Sequence, residues 1–398
     1  MKRIWICIAV AALLLASCGS AGNVADSSSD NVSASLPESA SDESQVSEAE
    51  SSQSEQSSSP AESSETTEQA SDSDVLFTLE EGTCIDRMYR TPEGNFAAEV
   101  ARGNEVVLML LSSEGDLLKE KPVTGRTLLR EPDGFSLMET GEYYTFDLEE
   151  CTADEAGVTP DGYSFDYSED GKYFQLTYPD GSVENVSETG AESYDDIESH
   201  RIQIGRYAVG PYLCYSRFDG NGGCYDIQSG KWSDYTVTGG FAPRYLMDGI
   251  LTGYGQGGEG GYYPSDTALS RFDPETGELE SLPLPLDVWP TTEFGDGQYY
   301  MFTVGFYNSD GALDTRLTEQ FPGLVGFETE DASLLLIYDA MQLAPVGYIY
   351  HPERTEYFQA LTDGSSCYVW DTESTETGSR AVVRQFPLIP PDQQPDIG

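Results

Sequence analysis

The chain has 398 residues, of which 70 are Asp or Glu and 20 are Lys or Arg, for a formal net charge of −50. That balance excludes nucleic acid and anionic membrane surfaces as partners gripped by charge, since both need clustered cations to replace counterions. It favours cations or basic proteins as ligands, and in any case keeps a domain soluble.

Lys2 and Arg3 precede an apolar run from Ile4 to Ala16 that ends in Leu15-Ala16-Ser17-Cys18. A charged start, a short apolar stretch and small residues before a cut describe an export signal, and such a run is too short to cross about 30 Å of hydrocarbon. The tetrad resembles the bacterial lipobox. That resemblance implies a signal over residues 1–17 and a membrane anchor of diacylglycerol and palmitate on Cys18. It also implies an address on the extracytoplasmic face of the cell membrane.

From Gly19 to Asp74 the chain holds 20 Ser and 13 Asp or Glu, with no Lys, Arg or aromatic residue. Low hydrophobicity with charge of one sign leaves too little burial to offset chain entropy. Residues 18–74 therefore read as a lipidated cysteine followed by a disordered acidic tether, about 40 Å long on average and longer through self-repulsion. Acidic Ser-rich linkers behind a lipobox resemble those of Gram-positive surface lipoproteins.

Residues 75–390 read as one folded domain, followed by a C-terminal tail over 391–398. Short β-branched or aromatic runs alternate with Asp-Gly and Asn-Gly turns, the pattern of antiparallel hairpins. One turn series leads into apolar strands: Pro92-Glu93-Gly94, Pro132-Asp133-Gly134, Pro160-Asp161-Gly162, Met247-Asp248-Gly249, Gly295-Asp296-Gly297 and Pro322-Gly323-Leu324. A second includes Ser113-Glu114-Gly115, Tyr178-Pro179-Asp180-Gly181, Phe272 to Leu279 and Trp370-Asp371-Thr372. Interleaved at a period of roughly forty residues, with strands and little helical periodicity, they predict an all-β fold, a β-propeller of seven or eight blades of four antiparallel strands. A pair of β-sandwiches is the alternative. Tyr167-Ser168-Glu169-Asp170-Gly171-Lys172 resembles the repeats of WD40-like envelope propellers, and Phe272 to Leu279 resembles the hairpins of quinoprotein and kelch-type blades. Both resemblances imply architecture and no activity.

Chemistry is sparse. His200 and His351 lie among polar residues at expected loop positions, and no G-x-S-x-G elbow or phosphate-cradling loop occurs. Beyond Cys7 and Cys18 the cysteines are 84, 151, 214, 224 and 367, an odd set with no CxxC spacing. Cys214 and Cys224 are placed to face each other across a hairpin, as a disulfide or as two buried thiols. Asp219 and Asn221, in Asp219-Gly220-Asn221-Gly222-Gly223, have the alternating oxygens of a calcium loop without its distal Glu, and a tight turn explains them equally. No other cofactor is expected. The Gly- and Tyr-rich stretch from Gly253 to Ser265 offers Tyr254, Tyr262 and Tyr263, which with Trp232, Trp289 and Tyr307 would form an aromatic rim for a glycan or a partner's peptide. The leading expectation is a membrane-anchored extracellular binding or scaffold lipoprotein, its ligand a protein or a glycan. The alternative is a secreted polysaccharide hydrolase or lyase working through clustered carboxylates.

Overall fold

The structure, a computed structural model, describes residues 74–159, 162–199, 204–217, 220–236, 240–255, 268–285, 288–290, 297–304, 315–325, 333–351, 359–375 and 378–395. Its strands form seven antiparallel sheets. After β1 (Val75–Glu81), sheet 1 runs β2 (Thr83–Arg90), β3 (Phe96–Arg102), β4 (Glu105–Leu111), β5 (Leu117–Val123). Sheet 2 runs β6 (Leu128–Glu131), β7 (Gly134–Leu137), β8 (Glu142–Thr145), β9 (Glu150–Cys151). Sheet 3 has three strands, β10 (Ser164–Tyr167), β11 (Tyr173–Thr177), β12 (Val183–Glu188), followed by a short helix α1 (Tyr194–Glu198). Sheet 4 is β13 (Ile204–Val209), β14 (Tyr212–Arg217), β15 (Asn221–Asp226), β16 (Lys231–Thr236). Sheet 5 is β17 (Ala242–Met247), β18 (Ile250–Gly255), β19 (Ala268–Asp273), β20 (Glu278–Pro283). Sheet 6 is β21 (Val288–Pro290), β22 (Tyr299–Val304), β23 (Ser333–Asp339), β24 (Ala344–His351), with helix α2 (Thr315–Gln320) and a 3-10 turn at Pro322–Leu324 between β22 and β23. Sheet 7 is β25 (Ala360–Thr362), β26 (Ser366–Ser374), β27 (Ser379–Pro387), and its fourth strand is β1.

Burial along sheet 1 shows how the sheets are used. The middle strands β3 and β4 are apolar on both faces and nearly buried throughout, whereas β5, Leu-Leu-Lys-Glu-Lys-Pro-Val, has no buried residue. A strand buried on both faces needs a sheet against each of them, and a charged outer strand with a proline suits an edge facing water. The core is accordingly divided into clusters, each lying between two sheets. Tyr89 and Leu108 meet Phe135 and Tyr144 between sheets 1 and 2. Leu176 meets Leu213 and Tyr225 between sheets 3 and 4, and Cys214 and Tyr235 meet Leu251 and Phe272 between 4 and 5. Leu269 meets Tyr300 and Phe302 between 5 and 6, and Ile337 meets Ala360 and Cys367 between 6 and 7. Phe96 and Val100 meet Leu361 and Trp370, which joins sheet 7 back to sheet 1. Seven four-strand or three-strand sheets in chain order, six neighbouring pairs of which share a core cluster, the last with the first included, make a β-propeller of seven blades.

The turns follow their local chemistry. In Phe272 to Leu279 the Asp273 carboxylate accepts the backbone N–H groups of Glu275 and Thr276 and the Thr276 hydroxyl, and Gly277 takes the left-handed conformation that ends the turn (φ 76°). Other sequence expectations are corrected. Pro322-Gly323-Leu324 is not a hairpin of an eighth blade but a 3-10 turn, and Gly323 sits so close to Gln393 that a Cβ there would lie 2.0 Å from its carbonyl oxygen. Residues 391–395, read as a tail, dock here: Gly323 N–H donates to the Pro391 carbonyl and the Tyr348 hydroxyl to that of Gln393. Trp370-Asp371-Thr372 is the interior of β26, whose pairing with β27 carries it straight through. His351 ends strand β24 opposite Ser333 instead of lying in a loop, and His200 lies outside the described residues. Before blade 3, Ala153 to Gly157 fold as turns: Asp133 N–H donates to Ala156 O, and the Thr159 hydroxyl to Gly210 O. This segment thereby links the first hairpin of blade 2 to that of blade 4.

Candidate functional site

The first strand of each blade faces the middle of the ring. Two contacts show how near these strands come to one another. A Cβ on Gly210, in the first hairpin of blade 4, would lie 2.8 Å from Leu246 of blade 5 and 3.4 Å from Pro132 of blade 2. Tyr245 of blade 5 is within electrostatic reach of Tyr89 of blade 1.

Four arginines on these strands share one arrangement, a guanidinium over an aromatic ring. Arg90 lies 5.2 Å from the ring centre of Tyr368, Arg130 4.9 Å from Phe146, Arg206 4.5 Å from Tyr167 and Arg244 5.0 Å from Tyr254. Such a contact is worth about 0.5–2 kcal/mol, depending on how far water is excluded. Three of the four also have a polar partner. Arg90 is paired with Asp363, Arg130 donates to the Arg90 carbonyl, and Arg206 is paired with Asp166. Arg244 makes no ion pair among the described residues. It is exposed, and it is the extra residue of a β-bulge between Pro243 and Tyr245, a device that re-aims a side chain. Tyr207, Tyr245, Tyr254 and Tyr300 all lie within electrostatic reach of it.

Of the inner-strand carboxylates among the described residues, Glu131 is the most strongly shifted. Burial pushes Glu131 up to about 7, with the Ser136 hydroxyl pulling the other way, and no second carboxylate contributes. Asp86 and Glu99 do feel each other, and burial raises both. Glu99 is 2% exposed, and its two oxygens accept the N–H groups of Thr127 and Leu128, so it is a clamp between blades 1 and 2. Among the described residues no group of three or more His, Cys, Asp or Glu is placed to hold a metal ion, and no helix is long and apolar enough to cross a membrane.

The expected aromatic rim is rearranged. Tyr254 is 8% exposed and belongs to the core between blades 5 and 6, its ring edge-on to Tyr300 and Phe302, so its face is available to Arg244 and not to a ligand. Trp232 stands on the outermost strand of blade 4, stacked on Tyr215 at 5.6 Å and donating its indole N–H to Asp234 at 2.5 Å. That stack continues inward through Phe174 to Phe165. Gly223 makes room for it, since a Cβ there would lie 2.5 Å from the indole. Trp289 is on β21, the innermost strand of blade 6. These three residues thus occupy three blades at three different depths. Tyr262, Tyr263, Tyr307, Asp219 and Cys18 lie outside the described residues. Asn221 begins β15, and its side-chain oxygen accepts the Thr236 hydroxyl across the strands. The inner arginines gave no signal in the sequence beyond a repeated dipeptide, Arg206-Tyr207 and Arg244-Tyr245, at the same place in two first strands.

No family model matches the chain, and no curated protein matches it. Solved structures that align with it include the β-propeller domain of Cps50 (Swd1) from Myceliophteria thermophila, at 12% identity over 78% of this chain and 99% of that one, with a TM-score of 0.36. BamB from Moraxella catarrhalis aligns at 9% identity over 77% of this chain and 100% of its own, with a TM-score of 0.29. The computationally designed Ika8 protein aligns at 10% identity over 79% and 100%, with a TM-score of 0.33.

Proposed function

We propose that the protein is a lipid-anchored binding module on the extracytoplasmic face of a bacterial membrane, presenting a rigid propeller to an extracellular ligand. The observation that carries this reading is the place of β1. It is the outermost strand of blade 7, so the described chain begins at the periphery of the propeller. With Leu15-Ala16-Ser17-Cys18 as an acylation signal and an acidic Ser-rich spacer behind it, that entry point suits a tethered platform. The inner-strand arginines supply a cationic, aromatic-backed lining within a chain of net charge −50.

The test is metabolic labelling of cells with an alkyne analogue of palmitate, followed by crosslinking on intact cells. The wild-type chain should take up label and stay with the membrane, and Cys18→Ser should lose the label and appear in the medium. Equal labelling of both would remove the anchor from this reading. A chain that crosslinks to no wall or surface component in the lipidated state would remove the binding role.

A further inference from the structure

Blades 4 and 5 contain an internal control. Ile204-Gly205-Arg206-Tyr207 and Ala242-Pro243-Arg244-Tyr245 place an arginine third in two inner strands of equal length, and each guanidinium lies over a tyrosine ring, Tyr167 or Tyr254. In blade 4 the chain supplies Asp166 to complete the arrangement. In blade 5 no described residue does so, although the chain carries 70 carboxylates and several of its other arginines are paired with one. Arg90 holds Asp363, Arg102 holds Glu120, Arg271 holds Glu280 and Arg384 holds Asp371.

We infer that Arg244 anchors a binding site for a sugar acid, taking the carboxylate that Asp166 supplies to Arg206 from a ligand instead. A planar guanidinium held over an aromatic ring keeps its in-plane N–H fork free, and that fork matches a carboxylate in bidentate geometry. The bulge at Arg244 directs this fork away from the strand ladder, and the side chain is exposed. Carboxylate recognition alone would suit any organic acid. The neighbouring groups narrow the class: Tyr207 is half-buried, lies within electrostatic reach of Arg244, and its hydroxyl makes no hydrogen bond among the described residues. A phenol hydroxyl without an internal partner, within reach of the guanidinium, fits the ring hydroxyls of a sugar acid. The inference rests on the binding role proposed above and names its ligand class.

The experiment is a thermal-shift and calorimetric titration of the full chain, purified in mild detergent, with D-glucuronate and D-galacturonate as probes. D-glucose, acetate and triglycine are the comparison ligands, the last offering a peptide carboxylate. The expected result is a saturable rise in melting temperature with a uronate and none with glucose or acetate at the same concentration. Arg244→Gln should weaken the uronate about tenfold or more, the scale of a lost charge-assisted pair, with Arg244→Lys between them. Tyr207→Phe, which removes only the hydroxyl, should weaken it less and leave the unliganded melting temperature in place. An unchanged affinity in Arg244→Gln, or no shift with either uronate at about 50 mM, overturns the site. A shift with triglycine and not with the uronates overturns the sugar acid in favour of a peptide. If the site fails while crosslinking on cells still finds a partner, the anchored binding role stands without it.

Discussion

The guanidinium of Arg90 reaches the carboxylate of Asp363, Nη1 to Oδ2 at 2.5 Å, across 273 residues of chain. Arg90 ends the first strand of blade 1, and Asp363 stands in the first hairpin of blade 7, so the pair bridges the seam where the ring closes. Tyr368 completes a triangle, accepting from Arg90 at 2.7 Å and donating to Asp363 at 2.8 Å. Burial pushes the Asp363 carboxyl up, but hydrogen bonds from the Ser365 hydroxyl and N–H, the Ser366 N–H and the Tyr368 hydroxyl outweigh it and hold the group at about 2. A carboxyl with a lowered folded-state pKa stabilises the fold above its ordinary value near 4, and that stability is lost as pH falls from about 4 to about 2. Asp363→Asn should cost about 2 kcal/mol at pH 7 and much less at pH 2, read from urea unfolding at the two values. An equal cost at both would assign the effect to packing.

Closure of the ring also depends on β1. Phe77 lies in the core cluster between blades 7 and 1, and Gly115 packs so tightly on it that a Cβ would come within 2.3 Å of the ring. Removing residues 75–81 would withdraw a buried aromatic side chain, worth about 3 kcal/mol or more, and leave the nine residues of β27 as an open edge. A chain beginning at Thr83 should aggregate on size-exclusion chromatography, whereas one beginning at Asp74 should melt with the full-length protein. A monomeric, cooperatively melting chain from Thr83 would show that β1 is dispensable.

Tyr254 separates a packing role from a binding one. Tyr254→Ala should destabilise the domain by about 3 kcal/mol, because it empties a core position among Tyr300, Phe302 and Leu269. Trp232→Ala, on an outer strand, should cost about 1 kcal/mol and expose the Tyr215 ring. Paired melting curves check both, and the reverse order would place Tyr254 on the surface and Trp232 in the core.

The hairpins were legible in the sequence because their causes are local: Asp273, Thr276 and Gly277 settle their turn within a few residues. The same rule misled at Trp370-Asp371-Thr372, which has the letters of a turn but is kept extended by its partner strand β27. It also misled at Gly323, where a docked C-terminal segment decides the conformation. The inner-strand site was not legible. An arginine in a strand reads as ordinary polar alternation, and what distinguishes Arg206 from Arg244 is a carboxylate 40 residues before the first and the lack of a described counterpart for the second.

Glu131 gives a pH dependence of opposite sign from that of Asp363. Burial raises its pKa to about 7, offset in part by the Ser136 hydroxyl, which donates to Oε1 at 2.5 Å. The unfolded chain ionises this group near its ordinary value and the folded chain near 7. Stability is therefore complete below about pH 4.5, declines through the interval, and reaches its full deficit above pH 7. Glu131→Gln keeps an acceptor for Ser136 and removes the ionisation, so it should leave stability at pH 4 unchanged and raise it by about 2 kcal/mol at pH 8. Parallel urea titrations of the two proteins at both pH values check this, and a gain at pH 4 equal to that at pH 8 would rule out ionisation as the cause.

Cys214 and Cys224 are directly opposed across β14 and β15, both buried and both free. Facing residues in an antiparallel pair keep their Cβ atoms about 4.5–5.5 Å apart, wider than the roughly 3.5–4.5 Å of a disulfide, so a bond here would require the strands to draw together. Burial, and then the hydrogen bond to the Cys214 thiol, push the Cys224 thiol well above its ordinary pKa, and burial does the same for Cys367. Since the thiolate is the nucleophile, these thiols should resist an aromatic disulfide reagent in the native state at pH 8. Cys84 and Cys151 are only partly buried and should react first, Cys151 slowly because burial and then Glu155 raise its pKa. All five should react once the chain is unfolded in guanidinium. Purified protein lighter by two hydrogen atoms, with Cys214 and Cys224 unreactive even when unfolded, would show instead that the pair is a disulfide.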